Sequence, residues 1–361
     1  MNFQLKTRQV CLFIIAFMPV TKLFILPSVL ATHAKEDMWI SATINLVLDF
    51  ITLLLVINAC KRAKTDFFTL LENNLGKPLS KIVIVLYFFY FMLKSIVPLN
   101  EQKDYVELTL YTLMPSKFYF LPFFAVTFYF CCKKLRIVGR SADLFWLFTI
   151  VGIVLLICLS IPNAELKAIL PVGGQHAKSI LSGSYVTLGW FGDASYLLFF
   201  IGNFEYKKKD GLKIILSYLI ASVAIIAFMI IFYCVFTSIA FRQRFALTEI
   251  SKYTAVINNI GRFDYVGIIP ILLSSIFALS IPLFLSAKIL DHLFKFKKTW
   301  ISALIVSATE FFILVFFTQY YLSIERLVMN YLSVFFLVMA NVLPIFTALL
   351  KNKENYNEVN A

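Results

Sequence analysis

The sequence predicts an all-α polytopic membrane protein of about ten transmembrane helices, and three observations predict it. Of 361 residues, 60% are hydrophobic and only 15% charged, more apolar surface than a soluble domain of this length buries in one core. The apolar residues recur in runs of roughly 18 to 25, the length a helix rising about 1.5 Å per residue needs to cross about 30 Å of hydrocarbon. Lys and Arg gather in the connections between those runs, as they do in the cytoplasmic loops of membrane proteins.

Lys6 and Arg8 precede the first run in the manner of a signal peptide, but the run continues to Ala31 without a small-residue cleavage site, so residues 9–31 are read as the first span. Apolar runs bounded by charge place the next four at 38–60, 82–99, 113–132 and 143–161. Lys94 and Lys117 interrupt the third and fourth, and Pro98, Pro115 and Pro122 crowd their ends, so a re-entrant hairpin is the alternative there. The second group falls at 184–204, 212–240, 265–290, 299–322 and 327–350. Basic clusters at 6–8, 61–81, 133–140, 207–213 and 288–298 all fall on one side, which the positive-inside bias makes cytoplasmic, and ten spans put both termini there. One connection dissents: the outward loop 241–264 carries Arg242, Arg244, Lys252 and Arg262, and is long enough for a short helix at 247–258.

The chain reads as a single integral membrane domain over 1–361, with a short disordered cytoplasmic tail at 351–361. Ten spans divide into two sets of five, 9–161 and 184–350, and an odd number per set inverts the second relative to the first. The formal net charge of +13 belongs to the loops, because no soluble stretch is large enough to gather a nucleic-acid-binding patch. Six scattered cysteines without a CxxC, and three histidines in connections, predict no metal and no cofactor. No cluster of His, Asp or Cys suggests a membrane-embedded enzyme.

In inverted-repeat transporters the ligand sits near the midplane, where the first helix of each half is broken and its free backbone groups face the substrate. Span one carries Pro19, Thr21 and Lys22 and then Pro27; span six carries Gly189, Trp190, Gly192 and Asp193. Pro19 removes a backbone donor, and two glycines with a carboxylate interrupt span six. These residues form the candidate substrate site, with Trp190 as a wall. A lysine deep within an apolar span costs a few kcal/mol unless paired or hydrated. Asp193 is the preferred partner of Lys22, Asp49 and Glu310 are rivals, and Lys94 joins them as a possible coupling or ion-pair residue. The competing reading of each feature is structural: a proline kink, glycines for helix packing, a buried ion pair. Asn45, Ser274, Ser275, Gln319 and Asn341 are secondary polar candidates.

The segment 9–41, with TKLFILPSVLATHAKEDMWIS, resembles the opening of the spore germination permease family, the B subunits of nutrient germinant receptors. Trp190-Phe191-Gly192-Asp193 with the basic exit Lys207-Lys208-Lys209 is similar to that family's sixth span, and Asn259-Ile260-Gly261-Arg262-Phe263-Asp264 resembles its Arg-Phe-Glu signature. The resemblance implies an amino acid/polyamine/organocation transporter fold in the spore inner membrane. It also implies a bound small nutrient such as an amino acid, and two partners, an A-type membrane subunit and a C-type lipoprotein. Many relatives open span one with Gly-x-Gly where this chain has Pro19-Val20-Thr21-Lys22, so Lys22 stands in for bare backbone donors. Two functions follow as expectations: a germinant sensor that binds a nutrient between spans one, three, six and eight, and a proton-coupled amino acid transporter.

Overall fold

The computed structural model describes residues 5–62, 65–109, 116–204, 206–207, 209–252, 265–317 and 320–350. Gln319, the stretch 259–264 and the tail 351–361 lie outside the described residues. The described chain is helical, with one isolated parallel bridge, Leu5 to Phe204, as its only extended pairing. That bridge, with Leu5 N–H donating to the Asn203 carbonyl at 3.1 Å, fastens the chain start beside the exit of the sixth span.

The first span is two helices, α1 (Thr7–Phe17) and α2 (Leu26–Ala34), separated by a short 3-10 turn at Val20–Lys22. A turn at Lys35–Asp37, entered at a positive φ of Lys35, leads into α3 (Met38–Arg62). α4 (Phe67–Thr109) follows, and it departs from the span expected at 82–99 in both directions. Its first two turns lie before Gly76, whose φ of +76° breaks the helix, and beyond Leu99 it continues through a charged stretch expected to be loop. Pro98 does not stop it, because one missing donor is tolerated where neighbouring helices enclose the backbone. α4 is therefore a long continuous helix at Lys94, not a re-entrant hairpin. α5 (Ser116–Cys131) and α6 (Arg136–Ser160) complete the first group.

The sixth span is again broken. α7 (Ala177–Val186) gives way to a 3-10 turn at Leu188–Trp190, an extended Phe191, a left-handed Gly192 and a 3-10 helix at Asp193–Phe200. α8 (Asp210–Phe236) leads to the connection containing α9 (Ala246–Lys252), so the short helix expected at 247–258 begins one residue earlier, and its remainder falls outside the described residues. α10 (Tyr265–Phe294) and α11 (Thr299–Phe316) follow. The last span, expected as one helix at 327–350, is instead α12 (Tyr321–Arg326), α13 (Ser333–Leu337) and α14 (Leu343–Leu349), joined by π-helical turns and bent by 59°.

Among the described residues six helices are long and apolar enough to cross a membrane, and the bent last span, taken as one, makes a seventh. α1 and the two pieces of the sixth span, 11, 10 and 8 residues, are each too short alone, whereas α2 runs through its turn into α3 and counts with it. Leucine, isoleucine, valine and phenylalanine face outward on α3, α4, α6 and α8, the lipid-facing surface of a multi-pass membrane protein. The interior packs α1 against α6, α8 and α10, and α4 against α10. The break of the sixth span packs against α3 and against the bent last span.

Candidate functional site

The two breaks meet. Lys22 N–H donates to the Pro19 carbonyl at 2.9 Å, a 3-10 bond, so it no longer reaches the carbonyl of Met18 as it would in an unbroken helix. The Met18 carbonyl is satisfied instead by the Nζ of the same residue at 2.9 Å. That ammonium also donates to Asp193 Oδ2 and sits 5.3 Å from the Phe191 ring centre. Lys22 is 0% exposed. Burying such a group is tolerable only because its protons find acceptors.

Asp193 is shared. Lys94 Nζ lies 3.8 Å from its Oδ1, donates to the Phe191 carbonyl left free by the break, and stands 5.5 and 5.6 Å from the rings of Tyr196 and Tyr90. Asp49 on α3 is not the partner of Lys22. Its two oxygens accept from the backbone N–H of Asp193 at 2.9 Å and of Ala194 at 3.1 Å, capping the 3-10 helix that follows the break. Two ammonium groups and two carboxylates thus form one neutral buried network across spans one, two, three and six. Glu310 on α11 is not part of it; its Oε1 accepts from Ser95 Oγ at 2.5 Å.

Gly192 is required where it stands. Its φ of +92° suits only glycine, and a Cβ there would collide with the Ala340 side chain of the bent last span. Gly189 is different: a Cβ would meet only ordinary contacts with Val328 and Phe336. Trp190 donates through Nε1 to Glu101 Oε1 at 2.9 Å. Sequence reasoning missed Glu101, because it lies in a charged stretch that reads as loop until α4 is seen to continue through it. The secondary candidates hold helices: Asn45 Nδ2 donates to the Ser184 carbonyl and Thr187 Oγ1, closing the end of α7, and Asn341 accepts from Thr52. Ser274 and Ser275 bond to backbone carbonyls of Phe145 and Leu272.

Thr21, Lys94, Trp190 and Tyr196 line a small enclosed space together with Ala278 and Pro282 of α10, so spans one, three, six and eight all contribute. Its free volume is about 10 Å³, room for about one water molecule. Lys94 is the one charged group in this lining, beside an aromatic wall and the backbone of the break at Gly189, and it leads through Asp193 to Lys22, so the charged network adjoins the space without lining it.

A family model described as spore germination protein matches residues 4–322. No curated protein sequence matches the chain. Among solved structures the chain is similar to the manganese transporter of Eremococcus coleocola. Two point-mutant forms of that protein superpose with a TM-score of 0.58 at 11% identity, covering 98% of this chain and 82% of theirs. A third structure, in complex with an aromatic bis-isothiourea substituted compound, gives 0.55 at 10% identity over the same shares. At such identity the likeness establishes the fold, that of a membrane transporter.

Proposed function

The chain belongs to the spore germination protein family, a family of permeases and not of enzymes, and from that premise we propose that this membrane permease-like protein is the nutrient-sensing subunit of a germinant receptor in the spore inner membrane. It binds an amino acid or similar small nutrient at the meeting point of its two broken helices, and passes the resulting shift to an A-type membrane subunit and a C-type lipoprotein. The proposed site is Pro19, Thr21 and Lys22 on span one with Gly189, Trp190, Gly192 and Asp193 on span six, each group heading its own set of five spans.

One observation carries this reading: Lys22 bridges the two breaks through Asp193 beside the space lined by Thr21 and Trp190. A ligand carboxylate has an ammonium to meet there and a ligand ammonium has a carboxylate, so a zwitterion can exchange with the internal pair at little net electrostatic cost. The metal carried by the structural neighbour is a poor guide to the ligand, since Lys22 and Lys94 set two fixed cations beside Asp193.

Lys22→Ala and Asp193→Ala are each expected to abolish the response to nutrient while the protein still accumulates in the membrane. Unchanged nutrient sensitivity in both variants overturns the assignment. The second reading, a proton-coupled amino acid transporter, draws on the transporter fold and on Glu310, a buried carboxylate whose Oε2 has no hydrogen-bond partner among the described residues. Uptake of labelled amino acid by vesicles holding this chain without partner subunits decides between the two: robust uptake supports the transporter.

A further inference from the structure

On the face where the chain begins, a cavity of about 690 Å³ opens between the N-terminal ends of α1, α6 and α8. Six basic side chains line it against two carboxylates. Both carboxylates are already engaged. Asp143 accepts from Arg8 Nη2 at 3.0 Å and Gln9 Nε2 at 2.9 Å, and Asp210 from Thr7 Oγ1 at 2.6 Å and Lys213 Nζ at 3.1 Å. Lys6, Arg136 and Arg140 are exposed at the cavity, and no carboxylate among the described residues lies within ion-pair distance of them. Scattered cations on this face need no explanation beyond the positive-inside bias. A concave space that gathers them from three elements, with its acidic groups spent on helix-to-helix bonds, does.

We propose that this cavity binds the phosphate of an anionic phospholipid headgroup. Guanidinium forks match phosphate oxygens in pairs, and two of the unpaired cations are arginines one helical turn apart on α6. The volume lies within the roughly 300–1,000 Å³ of small-molecule sites, ample for a headgroup. Position chooses lipid over a free anion. The helices that carry these cations continue into lipid-facing surface, with Leu144 and Leu147 exposed on α6 and Leu212 and Leu216 on α8, so a headgroup can enter while its acyl chains stay in the bilayer. Basic pockets between membrane helices on the cytoplasmic side suit such headgroups. A lipid held here braces α1, whose other end is the break at Pro19.

The test uses the full chain purified in detergent, with its melting temperature measured against added phosphatidylglycerol, phosphatidylcholine or inorganic phosphate at matched concentration. Phosphatidylglycerol is expected to raise the melting temperature, and the other two to leave it unchanged. The double variant Arg136→Gln/Arg140→Gln is expected to need at least tenfold more phosphatidylglycerol for the same shift, and Lys6→Gln provides an independent variant should the double one fail to accumulate. Equal stabilisation by phosphatidylcholine, or an unaltered response in the variants, overturns the proposal. A full shift with inorganic phosphate alone overturns the lipid assignment in favour of a free-anion site. Native mass spectrometry of the wild-type protein gives the second readout: retained anionic lipid supports the site, and release of all lipid as easily as from the variants counts against it.

Discussion

Lys22 does not depend on a single counter-ion. Removing one member of an isolated buried ion pair strands the other and costs about 3–5 kcal/mol. Here Lys94 remains 3.8 Å from Asp193 when Lys22 is lost, so Lys22→Ala is expected to cost less than that range. The double variant Lys22→Ala/Lys94→Ala leaves Asp193 with neither cation and is expected to cost more than the sum of the singles, a coupling of about 0.5–3 kcal/mol for residues in one network. Melting temperatures of the three variants and the parent complete the cycle, and strict additivity refutes the shared network. Gly192 offers a second residue-scale expectation. Gly192→Ala combines a left-handed backbone with a collision against Ala340, at least about 1–3 kcal/mol of strain, whereas Gly189→Ala meets open van der Waals contacts. A clear drop in membrane accumulation for the first and near-parental accumulation for the second is the expected result, and the reverse order contradicts the geometry.

The breaks are elements in their own right, and each is held by side chains that replace the lost backbone partners. Asp49 serves the sixth span by accepting from two successive N–H groups at the start of the 3-10 helix. Hydrogen bonds to a charged group contribute roughly 1.5–3 kcal/mol, so Asp49→Ala is expected to destabilise by about that much, and Asp49→Asn, which keeps one acceptor oxygen, by less. Equal melting temperatures for both variants and the parent would remove Asp49 as the cap. The breaks were legible in the sequence because proline and glycine act locally: Pro19 withholds a backbone donor and Gly192 takes a left-handed φ, and in each case polar residues beside them mark the interruption, whereas Pro98 alone leaves α4 helical. The partners were not, because they arrive from elsewhere in the chain. Glu101 and the continuation of α4 past Leu99 sit in a stretch whose charge density reads as loop, and only enclosure by neighbouring helices keeps it helical. The bend in the last span falls between Tyr331 and Ser333 and carries no glycine; the second π-helical stretch, beyond the bend, contains Asn341, whose partner Thr52 is 289 residues away.

At the scale of the molecule, contacts close over both ends of the broken first span. On the basic face α1 is clamped by Arg8 and Gln9 to Asp143 on α6 and by Thr7 to Asp210 on α8. On the other side the connection before and through α9 covers the second half of the first span. Ala246 N–H donates to the Phe24 carbonyl at 2.8 Å, Tyr105 stands between the rings of Phe24 and Phe245, and Arg244 pairs with Asp104 at 2.9 Å. A central volume of about 10 Å³ holds no nutrient, so binding requires one of these two closures to yield. Apolar periodicity gave the spans themselves, but the closures depend on which helix ends meet in space, which no local pattern records.

The two functions make opposite demands on those closures. A sensor needs only the side facing its nutrient to open, whereas a transporter must open both in turn. Arg244→Gln loosens the α9 side while leaving Asp104 to Lys103, 3.7 Å away, and for a sensor it is expected to lower the nutrient concentration that gives half-maximal germination, by up to about tenfold for each 1.4 kcal/mol removed from the closed state. Asp143→Asn loosens the basic side, and for a sensor it leaves that concentration within about twofold of the parent, a shift under about 0.5 kcal/mol. If Asp143→Asn instead changes uptake of labelled amino acid as strongly as Arg244→Gln does, both faces lie on the path of the solute and the sensor reading fails.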